Sequence, residues 1–376
     1  MVGSDLVTDL LKGISSFTWG NLVMLIVGVV LVSLGIFKEY EPVLLVPIGF
    51  GCILANIPLN GLLDENGLLG ILNKVGIETE IFPLLIFIGV GAMIDFSPLL
   101  AQPRLVLMGA AGQIGIFGTL ILAVLIGFPI NEAASIGVIG AIDGPTSIYV
   151  AAKLAPSLLA PIAVAAYSYM SLIPIIQPPI MRLLTTRKER LIRMEYSPKP
   201  VSKKVLIIFP IAVTILIGIL VPDATPLISM LMLGNLLKEA GVVERLNQSA
   251  QNEIINITTL FLGLAIGSTM VAASFLKWTT LQILLLGLFA FILDTVAGLI
   301  FGKLMCKISK QKINPLIGAA GISAFPMAGR LAAKMANEED YENFILMHAM
   351  GTNTAGQLGS VIAGSILLSM VSGLIF

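Results

Sequence analysis

The sequence predicts an all-α polytopic membrane protein made of two inverted repeats with broken or re-entrant helices. Three observations carry that expectation. Hydrophobic residues make up 57% of the 376-residue chain and charged residues only 12%, against roughly 25% charged in a soluble domain. Apolar runs of membrane-crossing length recur along the chain, and none alternates with period two, which excludes a β-barrel. Two long apolar regions are interrupted by Gly, Pro, Asn, Ser and Thr, and they resemble each other.

A spanning helix needs about 20 apolar residues. Residues 1–20 read as an amphipathic lead-in, without the basic start and short apolar core of a cleaved leader. Spans are expected at 21–37, 42–60, 81–98, 105–128, 205–222, 257–275 and 280–302, with a weaker one at 224–242. Trp19 and Trp278 stand at span starts, where interfacial tryptophan belongs. The regions 132–184 and 313–376 are each long enough for two passes or hairpins. Basic residues set the orientation. Arg182, Arg187, Lys188, Arg190, Arg193, Lys199, Lys203 and Lys204 cluster in one loop, and Lys303, Lys307, Lys310 and Lys312 in another. Both are expected in the cytoplasm, which puts the loop at 128–132 outside. The first loop serves as a topology signal or as a docking surface for a cytoplasmic subunit. The formal net charge is zero, which gives no sign of a nucleic-acid partner. Cys52 and Cys306 are the only cysteines, so no disulfide framework or metal-ligand cluster is expected. No GxxxxGK[ST] phosphate loop is present, so ATP is not this chain's energy source.

The internal repeat is faint but ordered. IGAIDGPTSIYVAAKLA (139–155) matches IGAAGISAFPMAGRLAAKMA (317–336), with Pro145 on Pro326 and Ala151-Ala152-Lys153 on Ala332-Ala333-Lys334. PIGFGCILAN (47–56) matches PLISMLMLGN (226–235), and FIGVGAM (87–93) echoes FLGLAIGSTM (261–270). The loop before the first interrupted copy lacks basic residues and its counterpart is rich in them, so the copies lie inverted. The division is 21–184 for the first repeat, 185–204 for the basic loop and 205–376 for the second repeat. Inverted repeats with discontinuous helices place a transport site near the midplane.

The breaks carry the chemistry. Asp143-Gly144-Pro145-Thr146 interrupts a helix, because proline lacks a donor and glycine loosens the backbone. Freed carbonyls and the Asp143 carboxylate make a hard oxygen cage suited to Na⁺. The second copy offers Asn314, the backbone near Gly318 and Gly321, and Ser323. A third polar stretch, GTNTAGQLGS at 351–360, reads as a further break with Thr352, Asn353, Thr354 and Gln357 as oxygen donors. A carboxylate at membrane depth costs several kcal/mol unless a cation or proton neutralises it. The plainer roles are a helix cap for Asp143 and local hydrogen bonds for Asn314, Ser323 and Asn353. Asp294 is also at membrane depth, as a second ion or proton group or paired to a polar neighbour. Asp95 reads as a cap or loop residue, and His348 as a structural group in preference to a proton relay. Lys153 and Lys334 are expected to snorkel to opposite faces. Tyr169 lies near the prolines that break the next helix. Arg330 either holds an anion or snorkels to the cytoplasmic face. These features alone are equally those of a stand-alone Na⁺-coupled organic-anion transporter.

Four segments narrow the choice. GAIDGPTSIYV, AYSYMSLIPIIQPP, NPLIGAAGISAFPMAGR and HAMGTNTAGQLGSVIAGS resemble the membrane β subunit of the sodium-pumping biotin-dependent decarboxylases, which act on oxaloacetate, methylmalonyl-CoA or glutaconyl-CoA. The resemblance runs from about residue 40 to the C-terminus. It implies an elevator-like fold in the cytoplasmic (inner) membrane of a prokaryote. It also implies a cytoplasmic carboxyltransferase α subunit, a biotin-carrier protein or domain, a small γ/δ membrane subunit and a homotrimer of β subunits. The implied activity is decarboxylation of carboxybiotin held by a partner, coupled to outward Na⁺ movement and proton consumption. By position, it implies Na⁺ binding by Asp143, Ser323 and Asn353, functional roles for Asn314 and Gly318, coupled chemistry at Tyr169, and a part for Arg330. Under that reading Asp143, Tyr169 and Arg330 are the catalytic residues, and Asp143, Asn314, Ser323 and Asn353 hold Na⁺.

Overall fold

The computed structural model describes residues 12–194, 200–310 and 312–375. The described regular elements are helices, and no strand occurs among the described residues. Most of the lead-in lies outside them, as does Lys199.

The principal helices are α1 (Trp19–Phe37), α2 (Pro42–Ala55), α3 (Ile81–Met93), α4 (Leu105–Ile126), α5 (Ile130–Gly137), α6 (Gly144–Leu154), α7 (Leu159–Leu184), α8 (Lys203–Leu220), α9 (Thr225–Ala240), α10 (Ile255–Ser268), α11 (Trp278–Ile308), α12 (Met327–Glu339) and α13 (Leu346–Ile375). Six of them, α1, α4, α7 with the turn before it, α8, α11 and α13, are long and apolar enough to cross a membrane. A polytopic helical membrane protein is therefore the observed class. Trp19 and Trp278 are largely exposed at their helix starts, as an interfacial aromatic requires.

Several expected spans are shorter helices. α2 stops at Ala55 because Asn56 turns its side chain back on the ladder, donating to the Cys52 carbonyl at 2.8 Å. The same amide donates to the Met270 carbonyl at 2.8 Å, just past α10. The partner relationship is reciprocal. Asn235, matched to Asn56 in the repeat, donates to the Ile94 carbonyl at 3.1 Å, just past α3. Each asparagine thus ties off the end of a neighbouring helix. Glycines allow these crossings: a Cβ on Gly51 would meet the Leu264 carbonyl at 2.5 Å, and one on Gly234 the Ile88 carbonyl at 1.9 Å. With little hydrophobic drive between helices in lipid, such close backbone approach supplies the packing energy.

The two interrupted regions form hairpins. In the first, α5 and a 3₁₀ turn (Val138–Ala141) run in, and α6 runs back. Its base is closed by Asn131 donating to the Leu154 carbonyl at 2.8 Å. Lys153 bonds Glu80 there at 3.1 Å and lies over the Tyr149 ring. In the second, a 3₁₀ segment (Pro315–Gly321) runs in and α12 returns. Its base closes on Arg190: the Arg190 carbonyl accepts from Asn314 at 2.9 Å and Asn343 at 3.0 Å, and its guanidinium bonds Glu339 at 2.7 Å. The first base adjoins the start of α7 and the second lies just past its end, so the hairpins enter from opposite ends of this 26-residue helix, about 39 Å long at 1.5 Å per residue.

Two expected breaks are continuous helix. α13 runs unbroken through 351–360, because its glycines serve packing: a Cβ on Gly356 would lie 2.2 Å from the Gly321 carbonyl. α7 continues through Pro174, Pro178 and Pro179. Neighbouring helices and side chains at this depth can satisfy backbone groups that prolines leave free. Gln177, between those prolines, donates to the Ala319 carbonyl at 2.8 Å and so ties α7 to the second hairpin.

The basic loop is engaged within the chain. Arg193 grips Asp340 through two bonds of 2.6 and 3.0 Å and reaches Glu342 at 2.8 Å. Arg182 pairs with Glu338 at 3.2 Å. The acidic run 338–342 thus clasps the second hairpin to the segment after α7. Arg193 holds the Asp340 carboxyl below its ordinary range.

Candidate functional site

The tips of the hairpins meet. Ile142 takes a left-handed turn (φ 51°), and Asp143 then caps α6 in extended conformation. Opposite it, Ser323 donates its backbone N–H to the Ala141 carbonyl at 3.1 Å. Both broken segments therefore terminate at one point inside the protein.

Asp143 is buried, with 5% of its surface exposed. Its Oδ2 accepts three hydrogen bonds, from Thr146 Oγ1 at 2.7 Å, Gln357 Nε2 at 2.8 Å and Ser360 Oγ at 3.0 Å. Three donors on one oxygen stabilise a carboxylate. Its Oδ1 takes only a 3.5 Å contact from the Thr146 N–H, which leaves lone pairs for a cation. Gln357 and Ser360 stand three residues apart on α13 and so share a face. Ser360 was not legible as a site residue, although that spacing is a usable signal.

Asp143 lines a cavity of about 200 Å³ with Glu41, Tyr167, Asn256, Thr259, Ser323 and Gln357. Ser323 also donates its hydroxyl to the Gly356 carbonyl at 3.2 Å. Asn353 is fully buried next to the tip: its Nδ2 donates to the Ile322 carbonyl at 2.7 Å and its Oδ1 has no partner. The structure thus brings Asp143, Ser323 and Asn353 to the same junction. Among the described residues no three of His, Cys, Asp and Glu gather as a metal group. At the junction itself the side-chain oxygens are the Asp143 carboxylate and neutral groups, a hard set for a monovalent cation, with Glu41 as a second acid elsewhere on the cavity lining.

Other expected residues lie elsewhere. Asn314 caps the 3₁₀ segment, its Oδ1 accepting from the Leu316 N–H at 3.0 Å and its Nδ2 donating to the Arg190 and Ile192 carbonyls, each at 2.9 Å. It holds the hairpin base and is absent from the Asp143 cavity. Gly318 is pressed on α11, where a Cβ would fall 2.0 Å from the Gly298 carbonyl. Tyr169 donates its hydroxyl to the Leu284 carbonyl on α11. Two residues earlier, Tyr167 lies against Gly144 and lines the cavity, its hydroxyl buried without a partner. Residues two apart on a helix point about 200° from each other, and the sequence carried no signal to choose between them.

Arg330 is exposed and lines a second cavity, of about 320 Å³, with Asp95, Met93, Met347 and Met350. Phe325 lines both cavities. Asp95 accepts from the Ser97 N–H at 2.8 Å, closing an Asx turn before the short helix Ser97–Ala101, whose N-cap position is Phe96. Asp294 is fully buried, and its Oδ1 accepts from the Gly115 N–H, where α4 restarts after its interruption at Gly112-Gln113. It satisfies an orphan donor at that helix start. His348 meets Gln102 through Nδ1 at 3.1 Å. Lys334 is exposed.

The fold and this junction define a multi-pass helical membrane protein with an interior acidic site between two hairpins. The comparisons make that specific: residues 20–371 match the family model described as the Na⁺-transporting oxaloacetate decarboxylase beta subunit. The chain is 53% identical to the methylmalonyl-CoA decarboxylase subunit beta of Veillonella parvula and 52% identical to the glutaconyl-CoA decarboxylase subunit beta of Acidaminococcus fermentans, in both cases over 96% of each chain. It is 47% identical to the oxaloacetate decarboxylase beta chain of Klebsiella pneumoniae, over 94% of this chain and 95% of that one. The chain belongs to this family of sodium-translocating decarboxylase β subunits.

Proposed function

We propose that this chain decarboxylates carboxybiotin presented by a partner carrier domain and couples the reaction to outward Na⁺ movement, with a proton consumed. The observation that carries the reading is Asp143: one oxygen is held by three donors and the other keeps its lone pairs, at the meeting of two hairpins rooted at opposite ends of α7. Asp143, Ser323 and Asn353 bind Na⁺ as cargo. Asn314 and Gly318 act at a distance, by fixing the hairpin that carries Ser323. Tyr169 fixes α7 on α11, and its part in the coupled chemistry is through that placement.

Arg330 attracts the carbamate. Its cavity contains a cation and an acid among apolar walls, which suits an anionic head group on an apolar bicycle. Protonation of the carbamate nitrogen breaks the N–COO⁻ bond, releasing CO₂ and leaving N–H. Phe325, as the shared wall, places this chemistry next to the cation site. The inverted repeats divide at 21–184 and 205–376, with the basic segment 185–204 between them, and the hairpin unit moves against the remaining helices in an elevator-like step. The partners are a carboxyltransferase α subunit, a biotin carrier, a small γ/δ membrane subunit and two further β copies, in the inner membrane of a prokaryote.

The assembled complex in proteoliposomes tests this. Substrate-driven ²²Na⁺ uptake blocked by avidin supports it. Uptake insensitive to avidin and driven by a solute gradient contradicts it.

A further inference from the structure

The Asp143 cavity contains a second carboxylate. Glu41 sits in the turn between α1 and α2, in left-handed conformation (φ 38°) immediately before Pro42. A long side chain disfavours that conformation. Although it occupies the capping position of α2, its side chain makes no cap hydrogen bond. It lines the cavity instead, together with Asp143 and Tyr167. Glu41 is half-buried whereas Asp143 is buried, so the cavity leads from a partly wet acid to a dry one. Along the same wall, the Tyr167 side chain is 2% exposed and its hydroxyl has no hydrogen-bond partner. A buried phenolic oxygen without a partner is costly, and its oxygen is a hard ligand. Thr259 and Asn256 add neutral polar side chains to a lining that is otherwise largely apolar.

We infer that Glu41 and the Tyr167 hydroxyl form an entry path for a monovalent cation, received by the half-buried Glu41 and passed along the buried phenol before it reaches Asp143. The inference rests on the proposed role of Asp143 as the Na⁺ ligand. With the basic loops on the cytoplasmic side, Glu41 lies at the cytoplasmic end of α2, the side from which Na⁺ is loaded for outward transport. The half-wet carboxylate draws the ion from water, and the phenol replaces hydration oxygens as the ion passes to the buried aspartate.

The test uses the purified complete complex with Na⁺ as the probe. Two readouts are the sodium concentration for half-maximal decarboxylation and the sodium-induced rise in the unfolding temperature of the β subunit. Glu41→Gln is expected to raise half-saturation about tenfold, the scale of a single carboxylate–cation contact near a surface. Tyr167→Phe is expected to raise it about threefold, and Glu41→Asp is expected to restore most of the lost affinity. Wild-type half-saturation in both Glu41→Gln and Tyr167→Phe overturns the inference, provided Asp143→Asn loses its sodium response. If Asp143→Asn keeps a wild-type sodium response, the underlying reading fails and the inference with it. Should Glu41→Gln not assemble, Tyr167→Phe alone decides the matter by the same two readouts.

Discussion

Ser323 donates its backbone N–H to the carbonyl of Ala141 at 3.1 Å, and this bond joins the tips of hairpins that enter from opposite ends of α7. The residue after each partner completes the junction. Ile142 turns the chain into the left-handed region so that Asp143 caps α6. On the other side Ala324 and Phe325 lead into α12, with Phe325 facing both cavities. The charge comes from the first hairpin and the neutral oxygen from the second, so a relative shift of the two would alter the proposed cation site directly.

The donors on Asp143 Oδ2 should matter unequally. Hydrogen bonds to a charged group contribute about 1.5–3 kcal/mol. Gln357→Leu removes an amide donor from the buried carboxylate, and half-saturating sodium is expected to rise at least tenfold. Ser360→Ala removes a hydroxyl that also bonds the Gln357 carbonyl, and a smaller rise of about threefold is expected. Sodium titrations of decarboxylation order the two. The reverse order would mean that α13 contributes chiefly through Ser360.

Much of this was legible in the amino-acid pattern. The longest apolar helices and both interrupted regions followed from apolar run length and breaker residues, whereas the segments at 42–60, 81–98, 224–242 and 257–275 form shorter helices. Asn56 and Asn235, which the sequence pattern pairs, make comparable bonds to the Met270 and Ile94 carbonyls. What stayed hidden depends on three-dimensional approach. The glycines of 351–360 resemble helix breakers, yet they let α13 lie against Gly321. Asn314 has the same composition signal as Asn353 but is spent on the hairpin base. Tyr167 and Tyr169 differ only in helix phase. Glu41 is a loop acid by sequence and joins the site because the turn before α2 falls beside the first hairpin tip.

Packing of the second hairpin on α11 leaves no room for a methyl group. A Cβ on Gly318 would lie 2.0 Å from the Gly298 carbonyl, and one on Gly302 would lie 2.6 Å from the Pro315 carbonyl. Backbone atoms cannot yield as a flexible side chain can, so Gly318→Ala is expected to destabilise by about 1–3 kcal/mol. A fall of several degrees in the unfolding temperature, measured on the purified complex, checks this. An unchanged temperature would place the hairpin in looser contact with α11.

The clasp between Arg193 and Asp340 has a defined pH response. The Asp340 carboxyl is lowered in the folded protein by the guanidinium. Its contribution is therefore complete above the ordinary aspartate value near ~4 and is lost as pH falls through the lowered value. Asp340→Asn is expected to lower the unfolding temperature at neutral pH, by less in high salt because the pair is exposed. The difference from wild type should narrow below about pH 4. A difference that is independent of pH and salt would exclude an ionic clasp.

Phe325 lines both the Arg330 cavity and the Asp143 cavity. Phe325→Ala opens that wall and is expected to uncouple the two processes, so that less Na⁺ moves for each CO₂ released. The check is simultaneous measurement of ²²Na⁺ uptake and CO₂ release in proteoliposomes. A preserved ratio at reduced rate would assign Phe325 to packing alone.

The proposed mechanism turns on binding of the cation by the Asp143 carboxylate. The sodium dependence of decarboxylation by the reconstituted complex carrying Asp143→Asn probes it without intermediaries. The substitution keeps the size of the side chain and retains an oxygen for Thr146, Gln357 and Ser360, but it removes the charge. Sodium is expected to stimulate decarboxylation no longer, and ²²Na⁺ uptake is expected to be lost. A variant with wild-type sodium stimulation and uptake would show that the cation binds elsewhere.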